Sequence, residues 1–149
     1  MDRVRIAIIG CGGLGRTHAE CLKRIAGAEL TAYADISEEA AAAMLRDFGG
    51  SYATSDNTRV IEDDAIDAVY ICTHHDSHAD LCLRAARAGK HIMVEKPLAL
   101  TVEECRQVGQ AVLLAHTFHL ESGRRIALRR GPAPKIRPHQ RLGRPGAGL

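Results

Sequence analysis

The chain has 149 residues, of which 46% are hydrophobic and 26% charged, and a formal net charge of +2 at pH 7. This composition is typical of a globular domain, and every apolar run is shorter than the roughly 20 residues that a membrane-spanning helix needs. No signal-peptide cleavage motif follows the first apolar run, so the sequence predicts a protein outside the membrane and located in the cytoplasm.

Positive charge is concentrated near one end of the chain. From Arg124 onward lie 8 of the 20 Lys and Arg residues and none of the 18 acidic residues. The segment 131–149, GPAPKIRPHQRLGRPGAGL, has no helical or strand period, and its composition cannot bury enough apolar surface to fold. We therefore predict a disordered tail. No aromatic residues lie between its arginines, which argues against nucleic acid as a partner.

Hydrophobic patterning predicts strands that alternate with helices. Short apolar runs predict strands at 4–9, 28–35, 51–53, 66–73, 91–95 and 111–118. Helical spacing predicts helices at 14–27, 38–49, from Ser55 or Asp56 onward, at 77–90 and at 102–110. This alternation indicates an α/β fold, a doubly wound parallel sheet with helices on both faces and the strand order 3-2-1-4-5-6.

Helix boundaries have recognisable signals. In the first helix Leu14 and Ile25 share the predicted packing stripe with His18, Cys21 and Leu22, and Gly27 is the predicted stop. Ser37 is the predicted N-cap of the second helix and Gly49 its stop. Thr101 and Glu104 have the spacing of a capping box at the start of the last helix.

The turn after the first strand reads GCGGLG and fits the pattern G-x-G-x-x-G. Gly10 permits a tight turn, Gly12 allows the backbone to approach a pyrophosphate, and Gly15 lets the helix pack on the strand. The start of the helix supplies free N–H groups to the phosphates. This pattern predicts a Rossmann-type dinucleotide site formed by Gly10, Gly12, Gly13, Leu14 and Gly15.

Asp35 ends the second predicted strand. A carboxylate at this position can hold both hydroxyls of an adenosine ribose, whereas it would repel a 2′-phosphate. Neither Ile36 nor Ser37 supplies a cation for that phosphate. The sequence therefore predicts NAD as the cofactor in preference to NADP.

Two further segments, ICTHHDSHAD and AGKHIMVEKPLALTVEEC, complete a resemblance to the Gfo/Idh/MocA family, named for glucose-fructose oxidoreductase and inositol dehydrogenase. The resemblance runs from about Val4 to Leu120. It implies an N-terminal NAD(P)-binding domain and hydride transfer between nicotinamide and a sugar or polyol hydroxyl or carbonyl.

The resemblance also implies roles for individual residues. Lys96, in the Glu-Lys-Pro segment, is the implied catalytic residue, which contacts the substrate and stabilises an alkoxide. Glu95 is expected to orient Lys96 or to line the nicotinamide site. Thr73 and His78 match a segment that passes near the cofactor, but His74 stands where the family usually has proline, so the backbone there is expected to be looser.

Histidines and cysteines suggest other chemistry. His74, His75 and His78 invite a metal interpretation, as do His116 and His119, but the first group straddles a turn without an evident fourth ligand, so we predict no metal site. The five cysteines are an odd number with no Cys-x-x-Cys pair, which favours reduced thiols. Cys11 either senses oxidation or fills space beside the cofactor, and the second role is favoured.

The predicted division of the chain is a dinucleotide-binding domain at 1–120, followed by a helix remnant and basic tail at 121–149. The resemblance implies a second, mainly antiparallel domain that forms the substrate pocket and supplies a catalytic histidine. No residue from Leu120 to Leu149 matches that family's Asp-x-x-x-His segment. A reading-frame change, a cloning boundary and a natural tail all fit this end. Two hypotheses follow: an oxidoreductase domain that needs the second domain and is prone to self-association, or a dinucleotide-binding module without turnover.

Overall fold

The computed structural model describes residues 3–115 and 119–121, with side chains described for 3–115. The strands are β1 (Val4–Ile9), β2 (Ala28–Ala34), β3 (Tyr52–Thr54), β4 (Ala68–Ile71), β5 (His91–Val94) and β6 (His119–Glu121). The helices are α1 (Gly13–Leu22), α2 (Glu38–Phe48), α3 (Asn57–Glu62), α4 (His78–Arg87) and α5 (Val102–Ala115), with one 3-10 turn at His75–Ser77.

The six strands form one parallel sheet in the order β3-β2-β1-β4-β5-β6, which confirms the predicted fold and topology. Alternate residues of β1 point to opposite faces. Ala7 and Ile9 belong to the core on the face of α3, α4 and α5. Ile6 and Ile8 pack on the other face, with residues of α1 and α2. Helices therefore cover both faces, as a doubly wound fold requires.

Several predicted helix caps are confirmed. The Ser37 hydroxyl accepts a hydrogen bond from the Ala40 N–H at 3.2 Å, and Gly49 ends α2 with φ +76°. Asp56 caps α3, since its carboxylate accepts from the Thr58 N–H at 2.8 Å. The capping box at α5 also forms, because Glu104 accepts from the Thr101 N–H at 2.9 Å and donates its own N–H to the Thr101 hydroxyl at 3.2 Å.

The predicted strand at 111–118 is wrong, because α5 continues to Ala115 and β6 begins only at His119. Val108 and Val112 are four residues apart and both lie buried against the core shared with α4. That helical spacing places both side chains on one face. The predicted helix at 102–110 is therefore five residues too short.

The packing stripe predicted for α1 is wrong at three positions, Leu14, Cys21 and Ile25, which are all exposed. Leu14 is 56% and Ile25 54% exposed, whereas the buried residues of the helix are Gly15, Ala19 and Leu22. Gly27 does not cap α1, which ends at Leu22. Its backbone has φ +92°, and its carbonyl accepts from the Val4 N–H at 2.8 Å, so it leads the chain into β2 beside β1.

Within the described residues, no helix combines the length and apolarity that a membrane crossing demands. The tail predicted at 131–149 lies outside the region that the structure describes. The domain boundary predicted at 120 falls within β6, and no residue after Glu121 is described, so that boundary stays a prediction.

Candidate cofactor site

The carboxyl ends of the central strands are aligned at one edge of the sheet. Hydrogen bonds continue one residue past each strand: Gly10 N–H donates to the Ala34 carbonyl at 2.8 Å, and Cys72 N–H donates to the Ile9 carbonyl at 2.7 Å. The Glu95 N–H likewise donates to the Ile71 carbonyl at 2.9 Å. The glycine turn and the residues that follow β4 and β5 are thereby brought together at the carboxyl edge, where ligands bind in open α/β sheets.

Gly10 and Gly15 are required by close packing of the turn. Gly10 has φ +97°, and a Cβ built there would lie 2.5 Å from the carbonyl carbon of Cys72. A Cβ on Gly15 would lie 2.0 Å from the Gly10 carbonyl oxygen. Any larger residue at either position would therefore push α1 or β4 away from β1.

Gly12 and Gly13 have a different environment, because a Cβ at either position would meet no atom within 4 Å. The space in front of them is the room that a pyrophosphate needs. No side chain caps α1 and no acidic residue lies in its first turn, whereas α2 has both Ser37 and two glutamates there. The positive end of the α1 dipole is therefore available to an anion, and the residues present fit the pyrophosphate of a dinucleotide.

Asp35 links the glycine turn to the loop before α2. Its Oδ2 accepts from the Cys11 N–H at 2.7 Å and its Oδ1 accepts from the Ser37 N–H at 2.9 Å. Each carboxylate oxygen can accept a second hydrogen bond, so the group is fixed in place while it keeps capacity for hydroxyl donors. Ile36, next to it, is 90% exposed and offers an apolar surface at the same point.

Cys11 lies buried inside the glycine turn, with its Sγ 3.5 Å from the Ala34 carbonyl oxygen. Burial, with a smaller contribution from the Asp35 charge, raises the pKa of the Cys11 thiol to about 12. Burial likewise raises the pKa of Cys72 to about 12. A protonated thiol is a poor nucleophile, so Cys11 fits the space-filling role better than the oxidation-sensing one.

The loop after β4 is held by its own side chains. The hydroxyls of Thr73 and Ser77 lie 2.6 Å apart, and the Ser77 hydroxyl also donates to the His74 carbonyl at 2.8 Å. His74 has φ −68° and ψ 151°, which is a conformation that proline adopts. The backbone therefore follows a path that a proline at residue 74 would also take, and His74 itself is exposed.

His78 is fully buried at the start of α4. Its Nδ1 lies 2.7 Å from the Pro97 carbonyl oxygen and its Nε2 lies 3.0 Å from the Thr73 carbonyl oxygen. The ring therefore joins the loop after β4 to the bend after β5. This geometry favours a role in positioning the two loops that carry Thr73 and Lys96.

At the bend after β5, Glu95 is buried and its neighbour Lys96 is exposed. Glu95 is only 6% exposed, whereas Lys96 is exposed and is joined to Pro97 by a cis peptide bond. No carboxylate in the described part of the chain lies within 4.0 Å of the Lys96 ammonium. Lys96 is thus directed to solvent at the carboxyl edge of the sheet.

His18 lies beside the bend after β5, although the sequence indicated only a packing residue on α1. Its Nε2 lies 2.6 Å from the Oε1 of Glu95, and its ring meets the Tyr70 ring edge-on with the centroids 5.7 Å apart. Glu95 is 77 residues away in sequence. The two residues meet because α1 packs beside the end of β5. No local sequence pattern could have predicted this contact.

Among the described residues, no group of three or more His, Cys, Asp or Glu side chains has an arrangement that could hold a metal ion. His75 and His78 stack edge-on with their centroids 5.7 Å apart, but His78 already contacts two carbonyl oxygens. The side chains of His116 and His119 lie outside the described part.

The sheet topology and the glycine turn together define the class of this protein as an NAD-binding Rossmann domain. The model of the Gfo/Idh/MocA oxidoreductase family, described as an NAD-binding Rossmann fold, matches residues 4–117. The chain therefore belongs to the Gfo/Idh/MocA oxidoreductase family. The predictions of family and of NAD as the cofactor class are confirmed by this match, while the preference for NAD over NADP stays a prediction.

Several relatives of the chain are inositol dehydrogenases, and another is a 4-carboxy-2-hydroxymuconate-6-semialdehyde dehydrogenase of Sphingobium. The chain is 44% identical over 103 residues to an inositol 2-dehydrogenase of Rhizobium meliloti, a match that covers 69% of this chain and 31% of the relative. It is 39% identical over 111 residues to the scyllo-inositol 2-dehydrogenase (NAD(+)) of Bacillus subtilis, which covers 74% and 32%. The chain spans about a third of the length of the curated relatives that it matches.

Solved structures agree with this assignment. The scyllo-inositol dehydrogenase from Lactobacillus casei, determined with bound NAD(H) and scyllo-inositol, matches with a TM-score of 0.77 at 25% sequence identity. The match covers 81% of this chain and 36% of that chain. The similarity therefore extends over the Rossmann domain described above.

Proposed function

We propose that this chain binds NAD as the cofactor domain of an oxidoreductase that acts on a sugar or polyol hydroxyl. The observation that carries the proposal is the continuous row of groups along the carboxyl edge of the sheet. Asp35 lies at the end of β2, Gly12 and Gly13 between β1 and α1, Thr73 after β4, and Lys96 after β5. Their order matches the order of parts in a dinucleotide followed by its substrate.

The adenosine half lies at the end of β2 in this proposal. Asp35 accepts the ribose hydroxyls with the capacity left after its bonds to the Cys11 and Ser37 N–H groups. The exposed Ile36 side chain packs against the adenine ring. Gly10, Gly12, Gly13, Leu14 and Gly15 form the turn around the pyrophosphate, where the first N–H groups of α1 donate to phosphate oxygens.

The nicotinamide half extends over β4 and β5, with Thr73, His74, Glu95 and Lys96 along its path and His78 supporting the loops from beneath. NAD, when bound, supplies the acceptor for a hydride. The role of Lys96 is to place its ammonium group near the reacting oxygen, where a positive charge stabilises the negative charge that develops during oxidation of a hydroxyl. Its exposure and lack of an ion pair among the described residues leave that charge available.

A second candidate function is a module that holds the dinucleotide without turnover. Hydride transfer also needs a general base at the substrate hydroxyl, and both ring nitrogens of His78 already contact carbonyl oxygens. Among the described residues of this edge, Lys96 offers a cation and no evident base stands beside it. We therefore expect turnover near background for the 149-residue chain.

An absorbance assay of NADH formation across a panel of polyols, beside the Lys96→Ala variant, separates the two candidates. Background rates for both proteins, with NAD binding intact, support the module without turnover. Robust turnover that the Lys96→Ala variant abolishes establishes the oxidoreductase in this chain alone.

Self-association and a cytoplasmic location are further parts of the proposal. Large apolar side chains are exposed on and beside α5, namely Leu100, Val102, Leu113 and Leu114. Exposed apolar side chains of this size favour association with another protein surface. Sedimentation of the purified chain at several concentrations tests whether a second copy covers it.

A further inference from the structure

We propose that His18 is a positioning residue for the nicotinamide end of the cofactor site, acting through Glu95 on the bend that carries Lys96. The inference rests on the proposed function, because it assumes that a dinucleotide lies along the carboxyl edge of the sheet. It adds a residue that neither the glycine motif nor the Glu-Lys-Pro segment contains.

The first step is the contact itself. The His18 Nε2 and the Glu95 Oε1 lie 2.6 Å apart, and against an ionised carboxylate, which only accepts hydrogen bonds, the Nε2–H is the donor. Glu95 is 8% and His18 24% exposed at the side chain. Water therefore has little access to replace the bond, and hydrogen bonds to a charged group in such surroundings are among the stronger ones.

The second step is the link from Glu95 to Lys96. The other carboxylate oxygen, Oε2, accepts from the Lys96 N–H at 3.3 Å. Glu95 N–H donates to the Ile71 carbonyl at 2.9 Å and so ties the same residue to β4. Holding the Glu95 carboxylate in one orientation consequently holds the backbone from which the Lys96 side chain starts.

The third step concerns where His18 stands. It lies on α1, the helix whose first turn faces the pyrophosphate, and its ring contacts Tyr70 on β4 at 5.7 Å between centroids. Sheet order places β4 and β5 on the side of β1 away from β2. With the adenosine ribose at Asp35, the nicotinamide must extend toward β4 and β5. His18 thus couples the helix under the pyrophosphate to the loop under the nicotinamide.

The test compares NADH with ADP-ribose, which keeps the adenosine and the pyrophosphate but lacks nicotinamide. We expect the His18→Ala variant of the 149-residue chain to bind NADH about tenfold more weakly than wild type and ADP-ribose within a factor of two. His18→Gln, whose amide can donate to Glu95, is expected to recover most of the NADH affinity. Calorimetry gives both dissociation constants, and the fluorescence of bound NADH reports the nicotinamide environment directly.

Glu95→Gln removes the charge but keeps the shape of the acceptor, and we expect it to weaken NADH about threefold with the same selectivity. If His18→Ala does not fold, Glu95→Gln provides a second test of the same contact. Arg5→Gln is the matched control, because Arg5 pairs with Asp67 at the opposite edge of the sheet, 2.6 Å between Nη2 and Oδ1. That variant should lose stability without changing the ratio of the two affinities.

Equal weakening of both ligands in the His18 variants, or no change in either, would overturn the inference. A changed ratio in Arg5→Gln would do the same, since the ratio would then follow stability alone. If wild type binds neither ligand, the proposed function itself is wrong. If wild type binds both ligands but the His18 variants do not weaken NADH more than ADP-ribose, the proposed function stands and the role of His18 is wrong.

Discussion

The carboxylate of Asp35 accepts a hydrogen bond from the backbone N–H of Cys11 at 2.7 Å, across 24 positions of sequence. Cys11 is the second residue of the glycine turn, and Asp35 directly follows β2. The bond therefore fixes the distance between the group predicted to hold the ribose and the turn predicted to hold the pyrophosphate. Preformed spacing of this kind lowers the entropy that a ligand must lose on binding.

Substitutions at Gly12 and Gly15 should separate binding from folding. A Cβ on Gly15 would lie 2.0 Å from the Gly10 carbonyl oxygen, so Gly15→Ala should destabilise the domain by about 3 kcal/mol or more. A Cβ on Gly12 would meet nothing within 4 Å, so Gly12→Ala should keep wild-type stability but bind NAD about tenfold more weakly. Urea unfolding and NAD titration of each variant provide the two readouts. A stable Gly15→Ala protein, or a Gly12→Ala protein with full affinity, would contradict this explanation.

Thiol reactivity should follow burial. A pKa of about 12 leaves about one Cys11 thiol in ten thousand ionised at pH 8, and the same holds for Cys72. Cys21 is exposed on α1. Iodoacetamide at pH 8 should therefore modify Cys21 first, and Cys11 and Cys72 only in urea, as peptide mass spectrometry can show. Modification of native Cys11 as fast as Cys21 would restore the oxidation-sensing interpretation.

Asp67 should make the domain sensitive to acid. Hydrogen bonds from the Arg5 side chain hold the pKa of Asp67 below its ordinary value. Because the folded pKa lies below the unfolded one, the stabilisation is complete above the unfolded pKa of about 3.9 and is lost as the pH falls through the folded pKa. Asp67→Asn should cost about 1–2 kcal/mol at pH 7, allowing for an Arg5 side chain that is 40% exposed, and should flatten the loss of stability below pH 4.

Urea unfolding at pH 7 and across the range below pH 4 measures this effect. Asp64→Asn is the control, since Asp64 is exposed and lies three residues earlier. If the two variants have the same pH dependence, the Arg5–Asp67 pair is not its source.

Proline should be tolerated at residue 74. The backbone of His74 has φ −68°, and its N–H donates no hydrogen bond to a described residue. His74→Pro should therefore stabilise the chain by about 0.4–1 kcal/mol through the unfolded state. His74→Ala controls for loss of the imidazole and should lack this gain. A thermal melt in which the proline variant unfolds below the alanine variant would show that the loop conformation differs from the one described.

Local patterns sufficed for much of the fold. Ser37 and the pair Thr101 and Glu104 are cap signals that act over three or four residues, so the sequence contains all the information that they need. The apolar run AVLLA at residues 111–115 is ambiguous in the sequence, because a short run fits a strand or a helix equally well. Contact of Val108 and Val112 with the core decides in favour of a helix, and that contact is tertiary.

The candidate site divides in the same way. The glycine turn and Asp35 follow a spacing that is readable along the chain, and Lys96 stands in a recognisable segment. The contact between His18 and Glu95 depends on how α1 aligns with the end of β5. The two carbonyl contacts of His78 depend on how α4 packs beside the ends of β4 and β5. No single stretch of sequence encodes either alignment. Positioning residues of this kind can therefore be recognised only in the folded structure.

Calorimetric titration of the 149-residue chain with NAD and with NADP tests the central claim most directly, with Asp35→Asn measured beside wild type. Wild type should bind NAD more tightly than NADP, because the Asp35 carboxylate accepts the ribose hydroxyls and repels a 2′-phosphate. Asp35→Asn should reduce that preference about tenfold. Tighter binding of NADP by wild type, or an unchanged preference in the variant, would contradict the assignment of Asp35, and no binding of either cofactor would contradict the proposed function.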